Sequence, residues 1–181
     1  MNFIENFSRD NLDVIYFIYG SAFAAMGLAI LIYPKKNSGF PLADKLDLLG
    51  WFGVVHGANE FLDMWQLIRG SVSSAFSFVK LSALLASYIF LFEFGRTSFR
   101  PEEGEAPPGS RKAARFPHRG LLPGLLLLVA ALSSFSESFI QTAAILSRYL
   151  LGFPGALLAG WSILDYSRRK EADLRGVKAF N

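Results

Sequence analysis

The chain has 181 residues, of which 52% are hydrophobic, 15% aromatic and 18% charged, with 18 Phe, no Cys and a formal net charge of +3. Soluble domains average about 25% charged residues. Here the charges fall between long uncharged blocks, which excludes an ordinary water-soluble enzyme, a disordered chain and a disulfide-stapled secreted domain.

A helix needs about 20 mostly apolar residues to cross the ~30 Å hydrocarbon core of a bilayer. Five segments meet or approach that length. The first, 14–33, is uncharged and is closed by Pro34, with Lys35 and Lys36 behind it. The second, 46–68, is apolar by content but carries Asp47, His56, Glu60 and Asp63. The third, 72–94, holds Lys80 in its first half and an uncharged core from Leu81 to Phe92. The fourth, 120–136, and the fifth, 149–164, are short, and flanking Ser, Thr, Gln and Arg148 extend them by snorkelling. Between the third and fourth, 96–119 is rich in Pro and charge and reads as a flexible cytoplasmic linker. Residues 165–181 form a basic tail.

The first and fourth segments lack the polar face that a soluble surface helix shows at period 3.6. The acidic residues Glu5, Asp10 and Asp13 upstream of the first segment argue against a signal peptide. Lys and Arg alternate from one connection to the next, 14 on one side and four on the other. This predicts an all-α, five-span bundle with the N-terminus outside and the C-terminus in the cytoplasm. The basic excess is then a topology signal that attracts anionic lipid, and nucleic acid is not an expected partner.

Ionisable groups within a span cost a few kcal/mol each and so face the bundle interior or water. His56, Glu60 and Asp63 lie at i, i+4 and i+7 and share one helix face. They are the candidates for sensing a ligand or a proton, the alternative being structural hydrogen bonding between helices. Glu93 and Arg96, three apart, read as an interfacial ion pair, and Glu137 and Arg148 as a pair across the short outer loop. Gly53 and Gly57 form a GxxxG, Gly152 and Gly155 mark the fifth segment, and Pro154 kinks it, as a packing feature or a hinge. No cofactor is expected. Haem on His56 stays open, but the other histidine, His118, lies in the linker, and no metal set is visible. The sequence contains no phosphate loop, GxSxG or HExxH, and therefore no enzymatic constellation.

Four segments together resemble the multi-span N-terminal input region of bacterial sensor histidine kinases and diguanylate cyclases. They are Tyr16 to Ile32, Leu48 to Trp65, Phe90 to Pro101 and Arg148 to Leu164. The family's second span reads FGLLHGxHEW. His56, Gly57 and Glu60 match it, whereas Asn59 stands where the second His would be and Phe61 replaces the Trp. The resemblance implies a sensory module that relays a stimulus to a cytoplasmic output. That output lies outside this chain, which ends soon after its fifth segment as a fragment or a free-standing half. The expected partners are the bilayer and a second protein or a second copy. The competing readings are a non-catalytic accessory subunit of a larger membrane complex and, more weakly, a small transporter.

Overall fold

The computed structural model describes residues 11–34, 45–98 and 120–178, with side chains through residue 168, and within them the structure is helical apart from turns. The linker residues 99–119 and the segments 1–10, 35–44 and 179–181 lie outside the described residues. The elements are α1 (Leu12–Ile32), α2 (Leu46–Arg69), α3 (Ser74–Ser98), α4 (Leu121–Ser133), α5 (Phe139–Ser147), a π turn (Arg148–Gly152) and α6 (Phe153–Lys178).

Local chemistry sets most of the ends. α1 has Asp13 in its first turn and stops at Tyr33, extended at ψ 126° because Pro34 follows. α2 ends at Gly70, whose positive φ of 71° glycine adopts without a Cβ clash, and whose N–H donates to the Gln66 carbonyl. A tight connection follows, and the Ser73 hydroxyl accepts from the Phe76 N–H at 3.3 Å to start α3.

Glycine contacts define how the helices run. Gly20 faces Gly57 and Gly27 faces Gly50 and Gly53, so α1 and α2 are antiparallel with their backbones touching. The α2–α3 pair is also antiparallel, with His56 against Ser87 and Asp63 against Lys80. α3 and α6 run parallel: Tyr88 meets Gly152, Phe92 meets Gly155 and Gly95 meets Ala159. Two parallel neighbours need a return element between them, and α4 supplies it. The core lies where these helices meet, around Phe52, Leu84, Leu91, Phe94, Leu151 and Ala159.

Three helical stretches are long and apolar enough to cross a membrane: Leu12–Ile32, Ser74–Ser98 and Phe139–Arg168. Their outer faces are apolar, including Phe17, Ile18, Val79, Leu157 and Trp161. Only 11% of the apolar window of α1 is buried, a contiguous apolar surface of a kind that monomers in water rarely show.

Three expectations need correction. The linker was expected from residue 96, but α3 continues through Ser98, where the Thr97 and Ser98 hydroxyls bond to carbonyls three and four residues back. The fourth segment, expected over 120–136, is a helix only from Leu121 to Ser133 and is followed by a serine-rich turn. At about 20 Å it is shorter than the hydrocarbon core. The fifth, expected over 149–164, starts at Phe139 and continues to Lys178, taking in Arg148 and most of the presumed tail. Its distortion is the π turn, where the Phe153 N–H reaches back five residues to the Arg148 carbonyl. The turn lies directly before Pro154, which has no N–H to return to Leu150. Gly160 faces open space.

Candidate functional site

The polar face of α2 is enclosed by α1 and α3, and it divides into two clusters. In the first, His56 is buried at 8% exposure. Its ring lies among Phe23, Phe52 and Tyr88, with centroids 4.7, 5.2 and 5.7 Å away. His56 Nδ1 is 3.1 Å from Ser87 Oγ. The Ser87 hydroxyl donates to the Leu84 carbonyl at 2.7 Å, so its oxygen must accept from His56 and Nδ1 must carry a proton. Nε2 faces Glu60 Oε1 at 3.5 Å. A lone pair and a carboxylate would repel at that distance, so one proton lies between them, on Glu60 or on Nε2. The pair is neutral overall, as a low-dielectric interior favours.

Both ring nitrogens therefore face partners, and a haem iron on Nε2 would have to displace Glu60. Among the described residues no group of three or more His, Cys, Asp or Glu is arranged to hold a metal ion. Glu60→Gln should cost under about 1 kcal/mol, because its neutral amide can donate an N–H to Nε2 and so keeps the pair neutral. Glu60→Ala strips a buried acceptor and should cost about 1–3 kcal/mol. Thermal unfolding in detergent ranks the two.

Asp63 does not join His56 and Glu60. It belongs to a second cluster, accepting from Lys80 Nζ at 2.5 Å and from Asn59 Nδ2 at 3.2 Å. Lys80 also donates to Gln66 Oε1 at 2.6 Å. Lys80 and Asn59 were not among the predicted site residues. The available signal was a single lysine in an otherwise uncharged span, which requires a partner on a neighbouring helix. Lys80 also ceases to count as a loop charge, leaving three Lys and Arg on the outer side of the predicted topology.

No family model, curated protein or solved structure matches the chain. The site is therefore read from its geometry.

Next to the second cluster is a cavity of about 850 Å³. Its wall takes Tyr16 from α1, Asn59, Asp63 and Gln66 from α2, Lys80 from α3, and Glu137, Gln141 and Arg148 from the turn and the last helix. Glu137 and Arg148 were expected to pair. Both line this cavity, but no ion pair within 4 Å joins them among the described residues. The Tyr88 ring, part of the aromatic box around His56, packs against Gly152 in the same π turn as Arg148.

Far from the cavity, near the C-terminal end of α3, Arg96 donates from Nε to Glu93 Oε2 at 2.7 Å and from Nη2 to Oε1. This bidentate pair is enclosed, with Arg96 only 9% exposed, and the cation sits in the last turn, where the helix dipole favours it. The predicted glycines Gly53 and Gly57 touch α1 on the side of α2 away from Ser87, and Gly152 and Gly155 seat the last helix on α3.

Proposed function

We propose that the chain is an integral-membrane sensory module. It converts a change in the polar seam into a displacement of its last helix and passes that to a cytoplasmic signalling output of two-component type outside these residues. One observation supports this most. The helix that lines the cavity through Gln141 and Arg148 runs on, with only a π turn interrupting its α-helical pattern, to Lys178. At 1.5 Å per residue it extends about 60 Å, long enough to cross a bilayer and project beyond it. A tilt or rotation imposed at Arg148 is carried along the helix, and the energy available is the difference in affinity of the stimulus for two packings.

In this reading the bundle crosses a bacterial inner membrane five times, N-terminus outside. α2 crosses despite its charges because α1 and α3 enclose them. α4 crosses with local bilayer thinning. The alternating helix directions bring Tyr16, Asp63, Lys80 and Gln141 to one end of the bundle, which is the outer end under the predicted orientation.

A chimera carrying a kinase output after residue 178 tests the reading. Arg148→Glu and Glu137→Arg, which recharge the cavity, should change autophosphorylation by about fivefold, the low end of ordinary coupling. The outward-facing Leu127→Val should leave it unchanged. A flat response to all three contradicts the sensory role and favours an accessory subunit, which should then copurify with a stoichiometric partner.

A further inference from the structure

We infer that the cavity between α2, α3 and the last helix binds a zwitterionic group, an anion and an ammonium held on one small scaffold. The inference deepens the sensory reading by naming what the cavity takes. Three observations carry it.

The first is an unsatisfied acceptor. Asn59 is 1% exposed, and its Oδ1 has no hydrogen-bond partner. Rotating the amide does not help, because Nδ2 already donates to Asp63 and the flip would set oxygen against oxygen. A buried acceptor without a partner is costly. Asn59 lines the wall of this cavity, and a small shift of its side chain would bring Oδ1 to the surface.

The second is an uncompensated cation. Arg148 lies well inside a continuous apolar helix, on the cavity wall, with no carboxylate within 4 Å among the described residues. Its place on the cavity wall leaves its fork of N–H donors for an anion. Lys80, the other cation in the wall, is committed to Asp63 and Gln66.

The third is charge balance. The wall carries Asp63 and Glu137 against Lys80 and Arg148, so its formal charge is zero. Asp63 and Lys80 satisfy each other, which leaves Arg148 for the anion, and Glu137 with Asn59 Oδ1 for an N–H donor. A simple anion would leave the acceptors unmet, and a simple cation would leave Arg148 unmet. The volume lies within the range of small-molecule sites. The ligand chemistry is that of an ethanolamine phosphate head group or of a free amino-acid-like zwitterion.

The test uses the full chain in nanodiscs of pure phosphatidylcholine, titrated calorimetrically with O-phosphoethanolamine and separately with phosphocholine. Both probes carry the phosphate, but phosphocholine has no N–H. The expected result is one equivalent of phosphoethanolamine bound, phosphocholine at least about tenfold weaker, and Arg148→Gln weakening phosphoethanolamine by a similar factor. A parallel arm asks whether phosphatidylethanolamine stays on the protein after delipidation, read by native mass spectrometry. Retention there without uptake of the free probe identifies the lipid as the source. Uptake of the free probe identifies a soluble zwitterion.

Equal binding of the two probes, or no binding in either arm, overturns the inference and leaves Asn59 Oδ1 to an ordered water. Binding without a response in the kinase chimera removes the sensory role and keeps the site. A chimera response without binding does the reverse.

Discussion

Gly27→Ala should separate α1 from α2 and lower the stability of the bundle by about 3 kcal/mol or more, at the upper end for overpacked sites. A Cβ built on Gly27 comes within 2.5 Å of the Val54 nitrogen and 2.6 Å of the Gly50 carbonyl oxygen. Both are backbone atoms, so no side-chain rotation relieves the clash and the helices must move apart. The same movement breaks the contacts of Gly20 with Gly57 and of Gly53 with Phe23, because one seam holds them all. It also withdraws Phe23 from the ring of His56. Gly160→Ala is the matched control. Nothing lies within 4 Å of its added Cβ, so the substitution should stabilise the last helix by up to about 1 kcal/mol through helix propensity alone. Thermal unfolding of the two variants in the same detergent checks the contrast, and equal stability would contradict the close α1–α2 packing.

Lys80→Met should cost about 3 kcal/mol. Removing one member of a buried ion pair strands the other charge, typically at about 3–5 kcal/mol. The lower value applies because the Lys80 side chain is still 23% exposed. Asp63 would retain only Asn59 Nδ2, and Gln66 Oε1 would lose its donor. The double variant Asp63→Asn with Lys80→Met removes both charges and should recover most of the loss. A double-mutant cycle on chemical denaturation reads the coupling. Additive effects of the two substitutions would contradict a direct pair.

Much of the fold was legible because lipid-compatible helices declare themselves locally. α1 and α2 lie within two residues of their predicted ends, since Pro34 and the run after Arg69 stop a helix by backbone chemistry alone. The last helix was misread for a physical reason. An arginine looks like a loop charge to any scan of hydropathy, so the fifth segment was started after Arg148, whereas the structure keeps Arg148 in the helix and lets it face a cavity. The serines around 133–138 misled in the opposite direction. Ser133 and Ser134 bond back to the carbonyls of Val129 and Ala130, so the end of α4 is compatible with serine, and the break follows immediately after.

The site divided in the same way. Spacing put His56, Glu60 and Asp63 on one face because i, i+4 and i+7 are intrahelical relations. What distinguishes Asp63 from the other two is Lys80 on the next helix, which no intrahelical spacing encodes. Ser87 opposite His56 and Gly95 against the last helix were missed for that reason too: their role exists only once α3 is packed.

Single-cysteine labelling in intact bacterial cells tests the central claim most directly, because the chain has no native Cys to interfere. The positions are Ser71, in the α2–α3 connection, Phe135, in the turn before α5, and Ser167, near the far end of the last helix. A five-span bundle with its polar cavity at the outer end predicts that an impermeant maleimide labels Ser71→Cys and Phe135→Cys in intact cells. Ser167→Cys should label only after the membrane is permeabilised. Labelling of all three in intact cells, or of Ser71→Cys and Phe135→Cys only after permeabilisation, would contradict it.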